Sequence, residues 1–275
     1  MSSDPPTDQI SHLQTTIRKV LDSLNQHDLA EESPNPDLPT SPSSLASYID
    51  HTYLKLDATD STIRTLCAEA QKYDFKAVCV RPEWVSLCTS LLINTSVQIA
   101  SVVDFHHGTA SPSDKANEAA SAVQDGAHEL DLVIDYPALK AGDLATVFHG
   151  IREVRDAADA FTAEKGKTEK VVLKCILETS QLGREDIVAA CVIAEEAGAD
   201  FVKTSTGFNG AGASVENVSL TRRVVGDRLG VKASGGVRSV EDCLRMIEAG
   251  ASRVGMSNGV GVMEEFANAR KGGAG

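Results

Sequence analysis

Three lysines, Lys174, Lys203 and Lys232, stand inside short apolar runs: KVVLKCILE (170–178), DFVKTS (200–205) and GVKAS (230–234). An ammonium buried there loses hydration worth several kcal/mol unless a carboxylate compensates it or it gives up its proton. Two aspartates share the predicament, Asp50 in SYIDHT (47–52) and Asp131 in HELDLVID (128–135). Were Lys203 and Lys232 on neighbouring strands, each would disfavour the other's charge and burial would act in the same direction. One of them then becomes a neutral, nucleophilic amine near pH 7. Such an amine condenses with an aldehyde or ketone to a Schiff base, whose iminium accepts the electron pair of the adjacent carbon–carbon bond without help from a metal. Asp131 suits the accompanying proton transfers, directly or through a water. From spacing alone a second reading stays open, in which both lysines are structural ion pairs with Asp131 and Glu178.

These residues need elements to hold them. Eight short strand candidates, at 47–52, 76–80, 97–105, 128–135, 170–178, 200–205, 230–234 and 252–256, alternate with eight helical patterns from residue 60 to residue 270. Strict alternation implies a parallel sheet with helical crossovers. Eight pairs in roughly 225 residues predict a closed (β/α)8 TIM barrel, with an open doubly wound sheet as the alternative. Gly-Ala pairs at 126–127, 198–199 and 250–251 stand where left-handed helix caps are expected. Aligned at their C-terminal ends, the strands bring Asp50, Thr52, Cys79, Asp131, Lys174, Lys203 and Lys232 toward one face or the interior, and in a barrel that end carries function. SGG (234–236) and SNG (257–259) fall after strands seven and eight, where backbone amides and a helix N-terminus favour an anion such as phosphate.

The remaining signals set bounds. The 275-residue chain has a net charge of −13, which argues against extended contact with a nucleic-acid backbone or an anionic membrane. Six scattered cysteines without a CxxC pair fit reduced thiols in the cytoplasm better than disulfides or a zinc site. His106 and His107 are adjacent and, on a strand, would face opposite ways, so no metal site is expected of them. Residues 8–29 carry apolar positions at helical spacing, followed by the Pro/Ser-rich EESPNPDLPTSPSS. Residues 1–46 are therefore expected as an N-terminal extension, docking on the barrel or serving self-association, for instance in a homodimer, with the barrel at 47–275.

In seven segments, IDHTYLKLDAT (49–59), AVCVRPEWV (77–85), GAHELDLVIDYPALKAGD (126–143), LKCILETSQL (173–182), GADFVKTSTGF (198–208), VKASGGVRSVEDCLRMIEAGASRVG (231–255) and SNGV (257–260), the chain resembles the deoxyribose-phosphate aldolase family. The resemblance implies a metal-independent class I aldolase, an aldehyde-lyase without a cofactor. Its reaction is reversible cleavage of 2-deoxy-D-ribose 5-phosphate to D-glyceraldehyde 3-phosphate and acetaldehyde, in deoxyribose phosphate catabolism. It puts the Schiff base on Lys203, the perturbing and proton-relaying role on Lys232, and proton exchange on Asp131. By the same residue-by-residue transfer, Asp50, Thr52, Cys79, Lys174, Thr206, Gly207, Gly235, Gly236, Ser257 and Asn258 serve substrate binding. Three departures stand out: DFHHG (104–108) in place of the family's GFPxG, SNG in place of SSG, and Leu56 where proline is common. Competing readings are a related lysine aldolase with another acceptor aldehyde, and a catalytically silent sugar-phosphate-binding protein.

Overall fold

A parallel strand covered on both faces reads as a short, mostly apolar run, and this chain has eight such runs, six of them interrupted by a charged residue. The computed structural model describes residues 7–27, 38–164 and 170–272. In it the runs become β1 (Ile49–Thr52), β2 (Ala77–Val80), β3 (Gln98–Val103), β4 (Glu129–Val133), β5 (Val172–Ile176), β6 (Phe201–Lys203), β7 (Gly230–Ser234) and β8 (Arg253–Met256). All neighbours are parallel and β8 pairs back onto β1, closing the barrel. The open-sheet alternative is thereby removed.

The helices are α1 (Thr7–His27), α2 (Pro42–Ala46), α3 (Asp60–Tyr73), α4 (Val85–Leu91), α5 (Pro112–Asp125), α6 (Tyr136–Lys140), α7 (Leu144–Glu164), α8 (Arg184–Glu196), α9 (Val215–Val225), α10 (Val240–Glu248) and α11 (Gly259–Gly272). Local chemistry sets their limits. Thr59, Ser111, Ser214 and Ser239 cap α3, α5, α9 and α10 by accepting from a backbone amide three residues on. Gly126, Gly198 and Gly250 take positive φ of 113°, 91° and 109° after their helices, as the Gly-Ala pairs predict.

Three differences from the sequence pattern have a local cause. The third strand ends at Val103 because Asp104 turns to a φ of 50° and its carboxylate accepts from Ala110 N at 2.9 Å. Helix α6 is additional, capped by Asp135, with Pro137 in its first turn. Helix α2 occupies part of the stretch expected to be irregular, again on a serine cap and a proline; residues 31–37 of that stretch, with 28–30 before it, lie outside the described residues. As for the extension, α1 buries Leu13 and Leu24 and packs on α8 and α9 of its own barrel.

Inside the barrel the pleat decides direction. Alternation turns Asp50, Cys79, Ala100, Val102, Asp131, Lys174, Lys203, Lys232 and Arg253 inward, and sends Leu130, Leu132 and Val254 to the helix layer. The interior divides unevenly: Cys79, Ala100 and Val102 join Leu54 in a small apolar cluster, whereas β1 and β4 to β8 supply charges.

Candidate active site

The charges form one connected cluster. Asp131, fully buried on β4, accepts from Lys203 Nζ at 2.8 Å and Lys232 Nζ at 2.7 Å on the same oxygen, Oδ2. Its Oδ1 accepts from Lys174 Nζ at 2.6 Å. Lys232 reaches Asp50 at 2.5 Å, and Lys174 reaches Glu129 at 2.5 Å. Arg253 donates to Asp50 at 2.7 Å and to Glu129 at 3.2 Å. Strand register makes this possible by setting Lys203 beside Lys232 and Asp131 beside Lys174.

Three carboxylates thus face four cations, leaving one positive charge in excess. Burial alone would raise the Asp131 carboxyl, but Lys174, Lys203 and Lys232 together hold it well below 3.8. Asp50 shows the same balance: burial is outweighed by Lys232, Arg253 and Lys174, and its carboxyl is also lowered. For Lys232, burial favours the neutral amine, yet Asp131 and Asp50 prevail and push its pKa up. Lys232 is therefore held as a cation. The expected ion pairing with Glu178 does not occur. Its carboxylate instead accepts from Thr206 N at 3.2 Å and Thr206 Oγ1 at 2.5 Å, while Asp50 and Asp131 serve the lysines.

Above the cluster, at the C-terminal end of the strands, lies a cavity of about 510 Å³. Of the cluster's members only Lys203 lines it. Thr52, Thr206, Gly207, Gly235, Gly236 and Ser257 line it too. Asp50, Cys79 and Lys174 sit beneath it, each with 0% exposure; Cys79 Sγ is 3.8 Å from Asp131 Oδ2. Asn258 turns its amide to the Arg238 carbonyl at 3.0 Å, which ties the loop after β8 to the loop after β7.

Those loops are close-fitted. Ala213 N donates to the carbonyls of Ser234 and Gly235 at 3.1 and 3.0 Å, and a Cβ on Gly212 would lie 2.0 Å from the Gly235 oxygen. Only glycine at 212 lets the 234–236 backbone approach so closely. Lys55 and Arg238 bring cations to the same cavity, so its wall beside the glycine loops is suited to an anion.

Sequence reasoning missed several of these residues. Glu129 and Arg253 complete the charge cluster from below. Glu129 stands two positions before Asp131, hence on the same strand face, and Arg253 opens an apolar strand like the lysines. Lys55 and Arg238 carried no pattern beyond neighbouring the motifs. His106 and His107 sit beyond β3 in a turn, so strand alternation does not separate them, and their rings are 4.3 Å apart. Among the described residues no group of three or more His, Cys, Asp or Glu is placed to hold a metal ion. His51 faces outward with Nε2 2.7 Å from Glu69. Burial, opposed by Glu69, lowers its pKa.

A closed (β/α)8 barrel with a buried lysine opening into the cavity at its C-terminal end has the architecture of a barrel aldolase. The comparisons narrow that class. Residues 44–263 match the DeoC/LacD family of aldolases, and the chain belongs to that family. Over 225 residues it is 50% identical to the deoxyribose-phosphate aldolase of Coccidioides immitis, spanning 81% of this chain and 80% of that protein. It is 50% identical over 220 residues to deoxyribose-phosphate aldolase 1 of Bacillus licheniformis, spanning 80% and 95%. A crystal structure from Coccidioides immitis superposes with a TM-score of 0.80 at 44% identity, covering 91% of this chain and 98% of that one.

Proposed function

We propose that this chain cleaves 2-deoxy-D-ribose 5-phosphate reversibly to D-glyceraldehyde 3-phosphate and acetaldehyde through a Schiff base on Lys203. One observation carries the reading: the only cluster cation that opens on the cavity shares a single carboxylate oxygen with a second lysine, whose pKa is pushed up by Asp131 and Asp50. The excess positive charge is relieved if Lys203 reacts as the neutral amine.

The amine adds to the C1 aldehyde of the open-chain sugar, and loss of water from the carbinolamine leaves an iminium. Removal of the C3 hydroxyl proton forms the new carbonyl as the C2–C3 bond breaks, and its electron pair passes into the iminium to give an enamine. Glyceraldehyde 3-phosphate departs; protonation of the enamine carbon and hydrolysis then release acetaldehyde and restore Lys203. Asp131, with Lys232 holding a proton beside it, exchanges the protons through a water, since neither lines the cavity directly. Backbone amides of 235–236 and 257–258, with Lys55 and Arg238, take the phosphate. The chemistry asks nothing of a metal.

No described helix is long and apolar enough to cross a membrane, and all six cysteines are buried and free. Both fit action in the cytoplasm on small molecules, with residues 47–275 as the catalytic unit. A homodimer would need a surface other than the α1 face that already packs on α8 and α9. The test of the reaction is borohydride reduction in the presence of acetaldehyde, with mass-spectrometric mapping of the adduct. Adduct on Lys203, lost with activity in Lys203→Leu, is expected; an adduct elsewhere, or activity surviving Lys203→Leu, refutes the mechanism.

A further inference from the structure

The segment Thr206–Gly207–Phe208 follows the Schiff-base lysine by three residues and forms one wall of the cavity. Its position is set from behind. Glu178, 1% exposed, receives Thr206 N and Thr206 Oγ1, and Thr206 Oγ1 accepts in turn from Phe208 N at 3.1 Å. The hydroxyl proton of Thr206 is thus committed to Glu178, so the residue shapes the wall more than it donates to a substrate. Next in the chain, Asn209 donates from Nδ2 to Glu178 Oε2 at 3.1 Å and to the His106 carbonyl at 2.7 Å. Both partners are acceptors only, which fixes the amide's orientation. Asn209 Oδ1, 2.9 Å from His106 Nδ1, must then accept from an Nδ1–H. The His106 ring also lies near-parallel to Phe208, 5.3 Å away at 18°, and Phe105 meets Phe208 edge-on at 5.1 Å.

We propose that His106, Asn209 and Glu178 form a latch joining the loops after β3, β5 and β6, which presets the 206–208 wall and so governs how tightly the glyceraldehyde-phosphate part of the substrate is held. These are positioning residues: they act through Thr206 and Phe208, and they touch neither Lys203 nor Asp131. The DFHHG sequence is what puts a ring N–H donor at this place. The inference rests on the proposed aldolase reaction.

Steady-state kinetics with 2-deoxy-D-ribose 5-phosphate on His106→Ala, Asn209→Ala and the double variant test it. Losing one well-made hydrogen bond in this network is expected to raise KM about tenfold, with kcat changed less than about twofold. The losses in the double variant should be clearly less than additive, because both singles remove the His106 Nδ1–Asn209 Oδ1 bond, although Asn209→Ala also loses two amide donations and His106→Ala the stacking on Phe208. His106→Asn, which keeps an amide donor near the Nδ1 position, should recover most of the affinity; His106→Phe, which keeps only the stacking, should not. Borohydride trapping of acetaldehyde on Lys203 should proceed at the wild-type rate in every variant. Additive losses, unchanged KM, equal behaviour of His106→Asn and His106→Phe, or slowed trapping would each overturn the latch. Failure of trapping in the wild type would instead overturn the aldolase reading itself.

Discussion

Replacing Lys232 by methionine isolates its electrostatic effect on Lys203. The two ammonium nitrogens bind one oxygen at 2.8 and 2.7 Å, so they are no more than about 5.5 Å apart, the sum of those distances. At an effective dielectric of about 20, two unit charges at that separation repel by about 3 kcal/mol. Removing one charge removes that repulsion, and the same energy corresponds to about a 100-fold slower reaction of the Lys203 amine with an aldehyde at neutral pH. Methionine matches the length of the lysine stem, and every carboxylate keeps a cation: Asp50 retains Arg253, and Asp131 retains Lys174 and Lys203. The barrel should accordingly stay folded. The assay is the rate of borohydride-trapped acetaldehyde adduct on Lys203 between pH 6 and 10. Lys232→Met should be slow at neutral pH and recover toward the wild-type rate as the pH rises. Coincident pH profiles for the two proteins, or a loss independent of pH, would refute the electrostatic argument.

Acid should unfold the protein through the same cluster. Asp50 and Asp131 have carboxyls held below their ordinary 3.8, so their contribution is complete above about pH 4 and declines as the pH falls toward the folded-state values. Urea unfolding from pH 7 to 2.5 should show stability falling on the acid side of about pH 4, and a flat profile to pH 3 would contradict it. Gly212→Ala forces a methyl against the Gly235 carbonyl, displacing the glycine loop after β7. A roughly tenfold rise in KM for the phosphorylated sugar is expected, with turnover of unphosphorylated 2-deoxy-D-ribose retained; equal losses on both would show the loop does not serve the phosphate. Exhaustive dialysis against a chelator should leave activity intact, and a loss restored by a divalent cation would point to metal-dependent chemistry.

Much of this was legible in the chain because it depends on local pattern. Apolar strand runs, serine and threonine caps and the Gly-Ala turns report directly on elements, and lysines inside such runs cannot be surface residues. The motifs around Lys203 and Lys232 identified the family from sequence, and the comparisons agree. What escaped depends on closure and register. Arg253 and Asp50 are 203 residues apart and meet only because β8 returns to β1; Asp131 and Lys232 are 101 apart. Which carboxylate would serve which cation, that Glu178 would hold Thr206 and leave the lysines alone, and that Asp50, Cys79 and Lys174 would lie under the cavity were decided by the barrel's geometry. Side-chain type announces that a charge must be compensated, whereas the partner is chosen by distance, and distances between remote segments exist only after the strands have closed.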